Sequence, residues 1–250
     1  MSFLDVDRRW PGKPAWRLVA SWIIPTFFVR CAFRLFYRVR WTGVENVPRT
    51  GAFILVSNHV SHFDPPLVGC RMKDRPCSFL ARASLFDVPV FGALIRFVNA
   101  VPLHREGNPG KALRAAIEEL KAGRCVIMFP EGTRSKDGRV GAFKAGMMLL
   151  VRRAKASIVP VAVDGPFEIW PSSRSRPRLG GRIDVRYGTP IPAEELLGLD
   201  TGVALDRLRE AIRALAGEEP IRDDAEQDDE GGAKPPQMQP VGQAGAEQSE

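Results

Sequence analysis

From residue 51 onwards, short β-like runs alternate with segments in which apolar residues recur at helical spacing. The β-like runs are residues 53–57, 78–81, 98–103, 124–129, 158–163 and 182–187. The helical segments carry Leu113, Ile117 and Leu120, and then Leu205, Leu208, Ile212 and Leu215. Strands that alternate with helices predict an α/β class, here a single domain with a central mixed, largely parallel sheet flanked by helices.

The chain divides into three regions by composition. We predict amphipathic membrane-interface helices in residues 1–40, the α/β domain in residues 41–216, and an acidic tail in residues 217–250. The tail holds ten acidic side chains against two basic ones and has almost no large apolar residue. Such a segment cannot bury enough surface to offset its ordering entropy, so we expect it to be disordered.

The net charge of +7 understates how basic the remaining chain is. Without the tail, residues 1–216 carry a formal charge of +15, which attracts anionic partners such as nucleic acid, anionic lipid head groups or phosphorylated substrates. No recognition helix, zinc finger or aromatic RNA-binding signature accompanies the charge, so we expect no nucleic-acid partner. The four cysteines form no CxxC pair, which argues against a zinc site and a disulfide framework and favours a reducing compartment.

The N-terminal region has the pattern of a helix that lies in a lipid interface. Arg30, Arg34 and Arg38 are four residues apart and would share one helical face, while Phe27 and Phe28 lie elsewhere. The alternative is a buried core helix with a charged outer edge. The uncharged run 18–29 has twelve residues, short of the roughly 20 that a spanning helix needs, so we predict no membrane span. No secretory signal is evident.

A histidine and a carboxylate, His59 and Asp64, follow the apolar run 53–57. In one regular helix their spacing would turn them about 140° apart, so they meet only if His59 lies in the turn and Asp64 begins the next helix. Pro65 and Pro66 favour a helix start at that point. The carboxylate would then fix the imidazole tautomer and leave the second ring nitrogen as a base. The alternative is a turn histidine with no chemical role.

Two neighbours of this pair allow other interpretations. His62 suggests a metal site, but His104 is the one further histidine and no HExxH helix is present, so we predict no metal. Ser61 lacks the Gly-x-Ser-x-Gly surroundings of a nucleophile. We expect it to cap a helix or to hydrogen-bond the His59–Asp64 pair.

A second polar segment, residues 129–135, follows the apolar run that ends at Met128. Gly132 lets the backbone approach a ligand closely, and Arg134 offers a bidentate fork for phosphate. Glu131 would hold that arginine or a substrate hydroxyl in place. Arg105 follows a third strand and would supply a second cation.

Four ordered blocks of this sequence resemble those of the glycerolipid acyltransferases. They are Asn58-His59-x-Ser61-x-x-Asp64, Val101-Pro102-x-x-Arg105, Phe129-Pro130-Glu131-Gly132-Thr133-Arg134-Ser135 and Ile158-Val159-Pro160-Val161. The resemblance covers about residues 40–200 and is closest to the bacterial 1-acylglycerol-3-phosphate acyltransferases. The Glu-Gly-Thr-Arg block is the most specific of the four.

The resemblance implies direct acyl transfer without an acyl-enzyme and without a cofactor. His59, held by Asp64, would deprotonate the free hydroxyl of a lysophospholipid, which attacks the thioester of an acyl-CoA or an acyl-carrier protein. The implied acceptor-binding residues are Arg82 (where the family usually has lysine), Arg105, Glu131, Gly132, Thr133, Arg134 and Lys144. Val159 and Pro160 would shape an acyl pocket.

These implications place the protein on the cytoplasmic face of the cell membrane as a peripheral or monotopic enzyme, in contact with an anionic lipid surface. Lysophosphatidic acid is the expected acceptor and phosphatidic acid the product. Ornithine-lipid and inositol-mannoside acyltransferases share the blocks and stay open as alternatives. A thioesterase would use the same histidine and aspartate with water as nucleophile.

Overall fold

The computed structural model describes residues 14–72, 75–89, 92–93, 95, 100–103 and 109–218. Arg105 and His104 lie outside the described residues, and so does the tail from residue 219 onwards. The predicted contribution of Arg105 and the predicted disorder of the tail therefore stay predictions.

A seven-stranded sheet forms the centre of the domain. Its strands are β1 (Arg38–Thr42), β2 (Phe53–Ser57), β3 (Cys77–Arg82), β4 (Ala100–Leu103), β5 (Cys125–Met128), β6 (Ser157–Asp164) and β7 (Arg182–Tyr187). They lie in the order β1-β7-β6-β2-β5-β3-β4. The β6–β7 pair is antiparallel and the other pairs are parallel, which confirms the predicted mixed, largely parallel α/β sheet.

Helices cover both faces of this sheet. They are α1 (Ala15–Leu18), α2 (Ile24–Phe36), α3 (Asp64–Gly69), α4 (Pro109–Lys121), α5 (Gly146–Ala154), α6 (Pro166–Ile169), α7 (Ala193–Leu197) and α8 (Thr201–Ala216). The two helices predicted from apolar spacing are confirmed as α4 and α8.

Strand β2 lies at the centre and is buried on both faces, which explains its unbroken apolar run. Because successive side chains of a strand point to opposite faces, it divides its apolar residues between two cores. Phe53 and Leu55 pack in the core that includes Trp22 of the N-terminal region. Ile54 and Val56 pack in the core under α4, α5 and α8.

The N-terminal helix ends earlier than the arginine spacing predicts. It stops at Phe36, Tyr37 is extended, and Arg38 begins β1, which pairs with β7. The prediction that Arg38 shares a helical face with Arg30 and Arg34 is therefore wrong. Alternate burial in β1 explains the difference, because a two-residue period fits an edge strand and here prevails over the four-residue spacing of the arginines.

Helical structure is continuous from α1 to α2 through a π-helical turn, Val19–Ile23. Among the residues the structure describes, Trp16–Phe36 is long and apolar enough to cross a membrane, judged by length and composition only. The prediction of no span counted just the uncharged run; Pro25 lies in the first turn of α2 and does not end the helical segment there. Its length therefore no longer argues against a span.

This helical segment has a core side and an exposed apolar side. Leu18, Trp22 and Phe33 are buried in the core. Phe28 and Leu35, in contrast, are 65% and 77% exposed. The core-helix interpretation and the interfacial interpretation each describe one side of the same segment.

Five neighbouring strands of the sheet, β6, β2, β5, β3 and β4, run in the same direction, so their carboxyl ends meet at one edge. Asn58, the first residue after β2, joins that strand to β6. Its Nδ2 donates to the Val163 carbonyl oxygen at 2.9 Å, and its Oδ1 accepts from the Val163 N–H at 2.8 Å. These two bonds fix the chain at the point where His59 leaves the sheet.

Candidate active site

His59 and Asp64 meet as the sequence predicts. The Nδ1 atom of His59 lies 2.8 Å from Oδ2 of Asp64. His59 is in the turn after β2, and Asp64 is the first residue of α3, with the two prolines in the first helical turn. The predicted helix start is confirmed, and it brings together two side chains that a continuous helix would separate.

The hydrogen bonds around Asp64 define the histidine tautomer. The N–H groups of Val60 and Ser61 both donate to Asp64 Oδ2, each at 2.7 Å. Because this oxygen already acts as an acceptor for two donors, His59 Nδ1 carries the hydrogen of the third bond. The Nε2 atom of His59 therefore keeps its lone pair and is available as a base.

Asp64 is completely buried, whereas the His59 side chain keeps 20% of its surface exposed. Burial raises the pKa of Asp64, and the hydrogen bonds from His59, Ser61 and Val60 oppose that shift. The imidazole also stacks on Phe129, with ring centroids 4.3 Å apart. The carboxylate at one nitrogen and the aromatic ring on one face together fix the orientation of the imidazole.

Glu131 is hydrogen-bonded to the turn that contains His59. Its Oε1 accepts the His59 backbone N–H at 3.0 Å, and the Gly141 N–H is its second hydrogen-bond partner. Burial raises the pKa of Glu131 to about 7, aided by the nearby Asp64 and opposed by the two backbone hydrogen bonds. Glu131 thus contacts the main chain of His59, and its role in holding Arg134 or a substrate hydroxyl stays a prediction.

Gly132 and Lys144 lie close together in the loop between β5 and α5. Gly132 has a φ of 71°, in the left-handed region that other residues rarely adopt, and a Cβ there would lie 2.8 Å from Lys144 Nζ. The Lys144 side chain thus runs across the glycine. The structure brings this predicted cation to the segment that carries Arg134, and the backbone angle is the reason for a glycine at position 132.

Arg134 contacts His62, and His62 contacts Trp170. The Nη1 atom of Arg134 is hydrogen-bonded to Nε2 of His62. The His62 ring stacks on the Trp170 indole with centroids 4.6 Å apart. Sequence reasoning considered His62 only as a metal ligand and did not find Trp170, because no local pattern marks a contact between residues more than 100 positions apart.

Ser61 contributes to the site through its backbone more than its hydroxyl. Its N–H binds Asp64, as predicted in general terms, but its Oγ donates to the Trp170 carbonyl oxygen at 2.7 Å. The same Oγ accepts the N–H of Phe63, the residue before α3, at 3.2 Å. The bond from the Ser61 N–H to Asp64 confirms the predicted contact with the pair.

Four other predicted site residues lie on β3, on β6 and on the loop after β5. Arg82 ends β3 at the same sheet edge, and Thr133 is exposed on the loop after β5. Val159 and Pro160 are buried within β6, opposite Leu55 and Val56 of β2. Their partners in β2 lie three and four residues before His59. An acyl pocket at Val159 and Pro160 stays a prediction.

A cavity of about 320 Å³ lies beside the loop after β5. Its charged lining consists of the basic residues Arg134, Lys136 and Arg139 and the acidic residues Glu131 and Asp137. Basic side chains therefore outnumber acidic ones by one. Within the part of the chain that the structure describes, no group of three or more histidine, cysteine, aspartate or glutamate residues could hold a metal ion.

The Acyltransferase family model matches residues 38–164, just over half of the chain, and the chain belongs to this family. This confirms the family resemblance seen in the four sequence blocks. Trp170 lies beyond the matched region.

Several characterised proteins are similar to this chain. A chloroplastic 1-acyl-sn-glycerol-3-phosphate acyltransferase of Arabidopsis thaliana is 31% identical over 159 residues, which cover 62% of this chain and 44% of that protein. The Streptococcus pneumoniae 1-acyl-sn-glycerol-3-phosphate acyltransferase is 32% identical over 145 residues, 58% of this chain and 52% of that protein. The chain thus spans about half the length of these curated relatives.

The crystal structure of the 1-acyl-sn-glycerophosphate (LPA) acyltransferase PlsC from Thermotoga maritima is also similar. The TM-score is 0.65 at 29% sequence identity, and the match covers 79% of each chain. The similarity extends well beyond the region of the family model, so it includes most of the sheet and its flanking helices.

Proposed function

We propose that this protein transfers a fatty acyl group from a thioester to the free sn-2 hydroxyl of lysophosphatidic acid, giving phosphatidic acid. The observation that carries the proposal is the fixed tautomer of His59, which leaves Nε2 as a base at the edge of a cationic loop. The names of the three similar proteins described above, two 1-acyl-sn-glycerol-3-phosphate acyltransferases and one 1-acyl-sn-glycerophosphate (LPA) acyltransferase, support the choice of acceptor.

The proposed reaction is a single displacement on the thioester. His59 Nε2 accepts the proton of the acceptor hydroxyl as its oxygen attacks the acyl carbonyl carbon. The carbon–sulfur bond then breaks, and the proton passes from the imidazolium to the leaving thiolate. Asp64 stabilises the imidazolium that exists between these two proton transfers. The protein itself forms no covalent bond to the acyl group, and no cofactor takes part.

Arg134 and Lys144 are the proposed partners of the acceptor phosphate. A guanidinium binds phosphate through two parallel N–H bonds, and an ammonium adds a point charge. Both lie on the loop whose first acidic residue, Glu131, bonds the His59 backbone. Phosphate bound to this loop would therefore have a defined position relative to the base. Arg82 and Arg105 are proposed as further cations, with Thr133 as a hydroxyl contact.

The N-terminal helical segment is proposed to bring the site to the lipid surface. Trp16, Phe28 and Leu35 are each more than 60% exposed, and contact with lipid would remove these large apolar side chains from water. The acceptor and the product are both amphiphiles that stay in a bilayer. We place the enzyme at the cytoplasmic face of the membrane, where its anionic lipids would meet the basic domain.

The experiment that tests this function measures thiol release by the purified full chain. Acyl-CoA and acyl-carrier protein are each supplied with and without lysophosphatidic acid, and phosphatidic acid is quantified by mass spectrometry. We expect thiol release to require the acceptor and to match product formation one to one. Equal thiol release without any acceptor would instead identify a thioesterase.

A panel of acceptors separates the remaining alternatives. Lysophosphatidic acid, an ornithine lysolipid and an inositol-mannoside lysolipid are compared at equal concentration. We expect lysophosphatidic acid to be preferred, because it presents an unshielded phosphomonoester to the cationic loop. Faster transfer to a lysolipid without that group would overturn the proposed acceptor while leaving the transfer chemistry intact.

A further inference from the structure

His62 lies between the proposed phosphate-binding arginine and an indole from outside the family-matched region. One ring nitrogen, Nε2, is the hydrogen-bond partner of Arg134. One ring face stacks on Trp170 at 4.6 Å with an interplanar angle of 29°. The side chain therefore has both its position and its rotation defined by contacts.

Trp170, on which His62 stacks, is itself held by several contacts. The backbone carbonyl oxygen of Trp170 accepts from the Ser61 hydroxyl at 2.7 Å and from the His62 N–H at 3.4 Å. Its Nε1–H donates to the Arg174 carbonyl oxygen at 3.1 Å, and Phe63 packs edge-on against its ring at 4.9 Å. Trp170 is thus a fixed platform for the turn that contains His62.

The bond between His62 and Arg134 has one possible direction. A guanidinium can only donate, so His62 Nε2 must be unprotonated and must accept. The pKa of His62 is lowered by partial burial, by the charge of Arg134 and by His59, which are the groups that act on it. Neutral imidazole is therefore the form present at physiological pH, and it is the form that the contact needs.

We propose that His62 is a positioning residue that orients the Arg134 guanidinium for the phosphate of the acceptor; this rests on the function proposed above. An unsupported arginine on a loop samples many rotamers, and fixing one of its nitrogens reduces the entropy lost when phosphate binds. His62 would act through Arg134 and would not touch the reacting atoms. It would therefore affect acceptor affinity and leave the chemical step unchanged.

The steady-state test compares His62→Ala with His62→Gln. Loss of one hydrogen bond corresponds to a rise of about tenfold in the KM for lysophosphatidic acid, and we expect kcat at saturating acceptor to change less than about twofold. A glutamine amide oxygen can take the place of Nε2, so His62→Gln should recover most of the affinity. A fall in kcat with unchanged KM, or a glutamine variant no better than alanine, would overturn the proposal.

A double-mutant cycle shows whether His62 acts through Arg134. In the Arg134→Ala background, we expect His62→Ala to change the acceptor KM by less than about twofold. An equally large effect with and without the arginine would mean that His62 has a separate function. Arg152→Ala is the matched control, because this exposed arginine on α5 bonds Thr201 and should give wild-type constants.

A third measurement does not depend on the substrate. NMR titration of the histidine rings should give a lowered pKa for His62 in the wild type and a higher one in Arg134→Ala. An unchanged pKa would overturn the contact itself. If the wild type fails to acylate lysophosphatidic acid yet this pKa does rise, the proposed acceptor is wrong and the positioning of Arg134 by His62 stands.

Discussion

Nδ1 of His59 and Oδ2 of Asp64 are 2.8 Å apart, and the same oxygen accepts two backbone N–H bonds, while Oδ1 has no hydrogen-bond partner among the residues that the structure describes. All three donors thus converge on one carboxylate oxygen. An asparagine could place its amide oxygen at that position and keep the three bonds. An asparagine at position 64 would therefore keep the effect of Asp64 on the His59 tautomer and remove the effect of its negative charge.

Substitutions of this pair test that separation. We expect His59→Ala to lower kcat by about 10²–10⁴-fold, since it removes the base. Asp64→Asn should lower kcat less, because it keeps the tautomer and loses only the charge that stabilises the imidazolium. Single-turnover acyl transfer at saturating substrates is the measurement, with far-ultraviolet circular dichroism to check folding. An asparagine variant as inactive as His59→Ala would contradict this account of the carboxylate.

The buried Glu131 predicts a pH dependence of stability. Its pKa is raised to about 7 in the folded protein, so the folded state binds more protons than the unfolded state between the ordinary carboxyl range and pH 7. The contribution of Glu131 to the free energy of unfolding therefore becomes less favourable as pH rises through this interval. This pH dependence of stability should be absent in Glu131→Gln, because glutamine does not titrate.

Urea unfolding of the wild type and Glu131→Gln at pH 5 and pH 8 measures this effect. Because the glutamine has only one acceptor oxygen, the absolute difference between the proteins also includes a lost hydrogen bond. The informative quantity is the change in that difference with pH. We expect the variant to gain stability relative to the wild type on going from pH 5 to pH 8, and a constant difference would refute the raised pKa.

Gly132 should tolerate no side chain. Its φ of 71° makes Gly132→Ala unfavourable, while the flexible end of Lys144 can move away from a Cβ, and we expect a loss of about 1–3 kcal/mol in the free energy of unfolding. Gly146→Ala is the control, because Gly146 begins α5 and a Cβ there meets no atom within 4 Å. Thermal unfolding of both variants checks the prediction, which fails if they behave alike.

The exposed face of the N-terminal helical segment can be tested without disturbing the core. Truncation would remove Leu18, Trp22 and Phe33, which are buried, so point substitutions are preferable. We expect the double variant Phe28→Ser, Leu35→Ser to lower partitioning onto anionic vesicles by at least about tenfold, because the apolar area that these two side chains bury in lipid would be lost.

Val203→Ser serves as the matched control in the vesicle experiment, because Val203 is a 55% exposed apolar residue on α8. Co-sedimentation with vesicles is measured for each variant at equal ionic strength. Equal partitioning of the double variant and the wild type would show that this face does not contact lipid.

The sequence alone determined the elements that depend on local order. Residues 53–56 are all apolar, and the run 53–57 is a strand that is buried on both faces. Pro65 and Pro66 set the start of α3, and this local feature was enough to predict that His59 and Asp64 meet. The order of the blocks along the chain likewise indicated the family, because those blocks supply the chemistry at the strand ends.

Only the tertiary structure decided the features that depend on distant segments. Arg38 became a strand residue because β7, some 140 positions away, offers it a pairing edge. Glu131 turned to the His59 backbone, and His62 was placed between Arg134 and Trp170, through contacts across 72 and about 108 positions. Local sequence fixes which residues stand at a strand end, but packing of the neighbouring chain decides where each side chain points and what it binds.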